Sequence, residues 1–233
     1  MSGSLAPQVP PSADPVFEGL FGTYTITATD RREVLGYRLA LTSVALAQLA
    51  LALQWRQWGS QALWPWLVVM GAGLGLALRW IHIYLRPLHQ ALQLFWLLGC
   101  TGFVGLAAWL GPQTMVSEAL QRPLAILAVG PFFAALTGVG FKEFFCFRRP
   151  EAIGMTLLLP LALLGRLTGL LPVSLTLQLL ALQAALLLVL CLRKFPMAAA
   201  ADVGDKSVFT HLERQRRGSI GGAESAAVRE VTP

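Results

Sequence analysis

A chain of 233 residues with 55% hydrophobic and only 13% charged side chains departs from the soluble norm of about 25% charged residues, which excludes an ordinary water-soluble enzyme domain and makes lipid the solvent for most of it. The net charge of +6 is gathered in short clusters at the ends of apolar runs, a pattern of membrane topology signals rather than of a nucleic-acid-binding face. Cys100, Cys146 and Cys191 are far apart and form no CxxC pair, so neither a disulfide framework nor a zinc module is expected.

Residues 1–29 form an N-terminal tail. Its first part, Met1 to Asp14, is rich in Pro, Ser, Ala and Gly and is expected to be disordered. The aromatics and glycines of Phe17 to Tyr24 suggest a turn or short extended piece at the membrane surface. Asp30 and Glu33 have capping-box spacing, which places the start of the first helix at Asp30. The first residues lack a basic segment ahead of an apolar one, so the first helix is expected to act as an uncleaved anchor.

Six apolar runs follow, read as Leu35 to Leu53, Leu63 to Tyr84, Leu88 to Leu110, Leu124 to Phe147, Ala152 to Leu170 and Val173 to Leu192. Each is near the roughly 20 residues needed to cross about 30 Å of hydrocarbon. The fold class is therefore all-α, a polytopic bundle of about six spanning helices over residues 30–194. Arg86-Pro87 and Leu171-Pro172 mark tight hairpins within it. From residue 195 to 233 the chain turns polar and Gly/Ala/Ser-rich, which predicts a mostly disordered C-terminal tail with a short helix around Ser207 to Arg217.

Six crossings put both tails on one side of the membrane. That side carries 15 of the 18 Lys+Arg, leaving only Arg56, Arg122 and Arg166 opposite, and the positive-inside rule makes it cytoplasmic. Trp55, Trp58, Trp64, Trp66 and Trp109 all fall at the opposite ends of the first three helices, as an aromatic belt should.

The densest polar feature runs from Phe141 to Glu151 and contains Lys142, Glu143, Cys146, Arg148 and Arg149. A carboxylate one turn inside hydrocarbon is costly unless paired. Arg79, His82 and Arg86 lie on one face of the second helix at similar depth, so an Arg79/Glu143 pair is expected. The alternative is that these cations only snorkel to the interface. His82 and His89 flank the Arg86-Pro87 turn and are the candidates for axial ligands to haem or chlorophyll a. No spacing supports a metal site.

Gly71, Gly73 and Gly75 evoke a nucleotide-binding loop, but no strand precedes them and they lie within an apolar span. They read as helix-packing residues. With Gly99, Gly102, Gly105 and Gly138 they predict a tight centre built from the second, third and fourth spans, with the fifth and sixth facing lipid. Pro131 and Pro160 lie inside spans, beside no ionisable group. The polar residues near midplane are Thr137 and the glutamines Gln48, Gln90, Gln93, Gln178 and Gln183. No HExxH, GxSxG or Walker motif is present.

The string Phe141 to Ala152, with Phe17-Glu18-Gly19 ahead of Asp30 to Val34 and the run Leu157 to Gly165, resembles the cyanobacterial and plastid integral membrane family catalogued as domain of unknown function 2301. The resemblance spans about Phe17 to Lys194. It implies an oxygenic phototroph and its plasma or thylakoid membrane, and it transfers no reaction, ligand or catalytic residue. Two functional readings follow. One is a non-catalytic accessory or assembly factor of a membrane complex, such as a photosynthetic one, with the lipid bilayer and complex subunits as partners. The other is a small-solute or anion transporter or channel, whose vestibule would be formed by Arg79, His82, Lys142, Glu143 and Arg149; Arg86, Cys146, Arg148 and Glu151 complete the candidate polar cluster.

Overall fold

The computed structural model describes residues 14–214. The disorder expected for residues 1–13 and 215–233 lies outside them. Two short strands, β1 (Val16–Gly19) and β2 (Gly22–Thr25), pair antiparallel as a hairpin. Seven helices follow through the apolar region, α1 (Ala28–Trp58), α2 (Trp64–Trp80), α3 (Arg86–Leu110), α4 (Met115–Gln121), α5 (Ile126–Phe147), α6 (Pro150–Leu167) and α7 (Val173–Lys194). A short α8 (Ala199–Val203) comes next, and residues 207–214 are again helical.

The chain divides into two compact units. One joins the hairpin and the start of α1 to the segment from Ala198 onward, and the other is the helical bundle, Glu33–Met197. In the first unit, the Leu20 amide donates to Asp205 Oδ2 at 2.6 Å and the Phe21 amide to Ser207 Oγ at 3.0 Å. The Phe21 ring stacks on His211 with centroids 4.0 Å apart, and Lys206 Nζ lies 2.8 Å from Asp30 Oδ2. Residues 195–214 are therefore more structured than their composition suggested. Their order comes from contacts with a hairpin some 185 residues earlier, which no local pattern records.

The cap of α1 is shifted from the expected position. Thr27 is the capping residue: its amide donates to Asp30 Oδ2 at 2.7 Å, and the Asp30 amide donates back to Thr27 Oγ1 at 3.2 Å. This is a capping box one turn earlier than the Asp30/Glu33 reading. Glu33 instead lies 3.7 Å from His82 Nε2.

Five helices are long and apolar enough to cross a membrane, namely α1, α3, α5 with its leading 3₁₀ turn, α6 and α7. α2 has 17 residues and rises about 26 Å. Its ends nevertheless reach both ends of α1. Trp66 Nε1 donates to Gln54 Oε1 at 2.7 Å, and His82, just past α2, meets Glu33. Along α1 those two partners are about 32 Å apart. The extended segment after Trp80 completes the distance that the helix leaves short.

The centre differs from the expected one. α1 contributes the largest buried share of its span, 50%, and α3 the smallest, 17%. Leu41, Val44 and Ala45 of α1 meet Leu74 and Leu78 of α2, Phe132, Leu136 and Val139 of α5, and Leu187 and Leu190 of α7 in one core. α3 is peripheral and packs mainly along α5, where a side chain at Gly99 would strike the Phe132 backbone and one at Gly102 the Ala128 carbonyl. At Gly75 a Cβ would lie 2.6 Å from the Trp96 ring, whose Nε1 donates to the Gly71 carbonyl at 2.8 Å. Gly138 is filled against by Leu92. Gly105 is the exception among the expected packing glycines, with open space in front of it.

Candidate functional site

Near one end of the bundle, the last turn of α5 places Glu143 in the interior with no exposed surface. Burial of a carboxylate at this depth is tolerable only with opposite charge and full hydrogen bonding, and the surrounding elements provide both. Tyr37 of α1 donates its hydroxyl to Glu143 Oε1 at 2.7 Å. Lys142 Nζ lies 3.1 Å from the same oxygen, and Lys194 Nζ, from the end of α7, lies 2.6 Å from Oε2. Adjacent residues on a helix do not normally face each other. Lys142 reaches back because its flexible stem carries the ammonium over two rings, 5.5 Å from the Tyr37 centroid and 5.7 Å from that of Phe147. The Lys194 ammonium sits over the same rings at 4.8 and 4.6 Å. Three helices are thus tied at one level by a carboxylate, two ammonium groups, a phenol and two aromatic faces.

The expectation that Glu143 needs a cation holds, but its expected partner does not. Arg79 is exposed on α2, beside Glu33, Gln93 and Trp96, and the cations at Glu143 come from α5 and α7. Tyr37, Lys194 and Phe147 were missing from the sequence-derived cluster. Lys194 was counted as a topology signal, and Tyr37 is an ordinary aromatic in the first turns of a span. The signal available was their placement toward one end of each helix: Tyr37 is in the third turn of α1, Lys194 is the last residue of α7 and Glu143 lies four residues before the end of α5.

The other expected members separate. Glu151, 6% exposed, pairs with Arg193 Nη1 at 3.0 Å. Arg149 Nη2 is 3.6 Å from Met197 Sδ. Arg148 ends α5 in the left-handed region at φ 48°, donating its amide to the Phe144 carbonyl at 2.7 Å, and Pro150 then opens α6. Two residues therefore make the whole turn. Cys146 and Arg86 are exposed. His82 is engaged with Glu33, and His89 Nε2 lies 2.7 Å from the Leu78 carbonyl, so each imidazole has its own protein partner.

The far half of the bundle has a different character. A cavity of about 100 Å³ is lined by apolar side chains of α1 to α7 and by one polar residue, Gln48. Gln48 is 7% exposed, and its Oε1 has no hydrogen-bond partner among the described residues. Gln183 of α7 is fully buried with both amide atoms unpartnered. Gln90, Gln93 and Gln178 are exposed. α4 forms one wall of the cavity, and Arg166 of α6 holds the end of that helix, donating from Nε to the Leu120 carbonyl at 2.7 Å.

In the unit formed by the chain ends, the Ser207 hydroxyl and amide and the Leu20 amide all donate to the Asp205 carboxylate. Those donors hold its pKa below the usual carboxylate value.

The model of a family described as uncharacterized integral membrane protein (DUF2301) matches residues 76–211, more than half of the chain. It takes in α3 to α8 and most of the Glu143 cluster. No curated protein and no solved structure matches the chain.

Proposed function

The chain belongs to the DUF2301 family of integral membrane proteins, and from that premise we propose that it is a non-catalytic accessory or assembly factor of a larger membrane complex, with both termini cytoplasmic. The observation that carries this reading is the flank of α3. That helix buries only 17% of its span, and Gly102, Gly105 and Trp109 line a groove on it with Arg122, Leu124 and Ala128. Lipid chains need no notch of small residues, whereas a second helix does, because glycine lets two backbones approach closely. Gly102 is already used against α5, while Gly105 faces open space. The occupant that fits is a membrane-spanning helix of another subunit.

The orientation has its own support. The hairpin and the segment after Ala198 belong to one unit, which supports an even number of crossings. With α2 counted, that number is six, and the side bearing 15 of the 18 Lys+Arg is then cytoplasmic.

Purification of the tagged protein from its native membrane in a gentle detergent, with mass spectrometry and an absorption spectrum on one fraction, tests the proposal. Stoichiometric subunits are expected with the wild type and are expected to be lost with Gly105→Trp, which should remain folded because nothing lies within 4 Å of a Cβ there. A partner-free, colourless wild-type protein would overturn the reading.

A second reading, transport of a small solute, is favoured by Gln48 Oε1 and the Gln183 amide, buried and unpartnered among the described residues, since buried polar groups within membrane helices mark substrate paths. Liposome flux of small anions that falls when Arg79 or Lys142 is neutralised would move the assignment there.

A further inference from the structure

We infer that the groove between α2 and α3 around Arg79 is a binding site for an anionic phospholipid whose headgroup carries hydroxyl groups, with the phosphodiester on the Arg79 guanidinium and the hydroxyls donating to Glu33 and Gln93. The site does not rest on the partner-subunit reading, because along α3 Gln93 lies about 24 Å from Trp109 in the other groove.

The first observation is an uncompensated charge. Arg79 is exposed in the last turn of α2, and among the described residues it neither pairs with a carboxylate nor donates a hydrogen bond. Glu33 lines the same groove and already has His82 Nε2 at 3.7 Å. The charge left to be met is the guanidinium, whose planar fork matches a phosphate bidentately. An arginine at a helix end can also snorkel to water with no ligand. What distinguishes Arg79 is the walled space in front of it.

The second observation is that space. The groove has a volume of about 610 Å³, within the roughly 300–1,000 Å³ of small-molecule sites. That is the volume of roughly 20 water molecules, against about ten non-hydrogen atoms in a phosphodiester with its glycerol headgroup. The groove is open on one side, as a site must be for a molecule that stays in the bilayer. Its walls are held by the protein. Trp96 lies against Gly75 and donates Nε1 to the Gly71 carbonyl at 2.8 Å, and the Trp80 ring lies against Gly36. Gln93 Nε2 lies 3.3 Å from His89 Nε2, which leaves Gln93 Oε1 as an acceptor. Two acceptors, Glu33 and Gln93 Oε1, thus share the groove with one cation. A ligand that meets all three has one negative charge and neutral O–H donors. Leu94 and Leu97, 53% and 52% exposed, also line the groove and offer an acyl chain an apolar track along α3. Basic pockets between membrane helices hold anionic headgroups in this way.

Native mass spectrometry of the purified full-length protein in detergent, with one lipid added at a time, tests the assignment. Phosphatidylglycerol is expected to bind about tenfold more tightly than phosphatidylcholine, the lower end for a hydrogen bond to a charged group. It is also expected to bind more tightly than phosphatidylethanol, which has the same charge and no headgroup hydroxyl. Arg79→Gln is expected to abolish the first preference, and Gln93→Leu to narrow the second. Arg56→Gln, at an exposed position near the far end of α1, should change neither. Equal affinity of the wild type for phosphatidylglycerol and phosphatidylcholine would overturn the proposal. So would a preference that survives Arg79→Gln, or tighter binding of phosphatidylethanolamine than of phosphatidylglycerol. Displacement of the lipid by millimolar glycerophosphoglycerol would make the ligand a soluble phosphodiester and would overturn it as well. The wild-type comparisons decide the matter even where a variant fails to fold.

Discussion

Glu143 and Gln48 are both polar, both buried and both set in helices surrounded by hydrocarbon-like side chains, yet the bundle treats them differently. Around Glu143 three donors from three helices converge within 3.1 Å, while Gln48 is left with an unmatched oxygen beside empty space. The charge at Glu143 makes incomplete pairing prohibitive, so that end is closed tightly. A neutral amide can be carried unpaired at a modest cost, so the other end can stay loosely packed. Structural integrity and adaptability are thereby assigned to opposite halves of one bundle. The first half should respond strongly to small chemical changes, and the second should tolerate them.

The largest expected effect is that of Glu143→Gln. The change removes the charge that holds two buried ammonium groups and should destabilise the protein by about 3–5 kcal/mol, the usual cost of breaking a buried ion pair. Thermal melting in detergent measures it, and an unchanged midpoint would break the comparison at its stronger end. Tyr37→Phe is milder. It keeps the ring under both lysines and loses only the hydroxyl, a hydrogen bond to a charged group worth about 1.5–3 kcal/mol. The same melting experiment should rank it between Glu143→Gln and wild type. The smallest effect is expected at Gln48→Leu, which exchanges an unsatisfied amide for an apolar group of similar volume and should leave the melting point unchanged or slightly raised. A drop as large as that of Tyr37→Phe would show that the amide is already satisfied and would remove the contrast.

Apart from α1, which begins seven residues before the expected Leu35 and ends five after Leu53, the spans were legible within about four residues because each apolar run is bounded by charged residues, prolines or tryptophans. Pro150 and Pro172 mark the starts of α6 and α7 closely. The need of Glu143 for a cation was legible from depth alone. Its partner was not, because partner choice depends on which helices are neighbours, and runs such as Ala184 to Leu192 are apolar on every side. The same uniformity hid the burial of α1, whose Ala40, Ala45 and Ala47 read as generic membrane residues but are small enough to lie in the core. The glycine stripes did report close approach at Gly75, Gly99, Gly102 and Gly138. They could not reveal that Gly105 faces open space instead of α5. The short α4 was missed because its seven residues are neither apolar enough to span nor periodic enough to stand out.

The hydrogen bonds from Leu20 and Phe21 to Asp205 and Ser207 also set a clock. The hairpin leaves the ribosome early, but its partners are made some 185 residues later, a wait of roughly 10 to 40 s at ordinary rates of synthesis. Throughout that time the helices between them are being made, five of them long and apolar enough to cross a membrane. The union of the two segments therefore marks the end of synthesis of the bundle between them, because neither segment can make these bonds before the other exists.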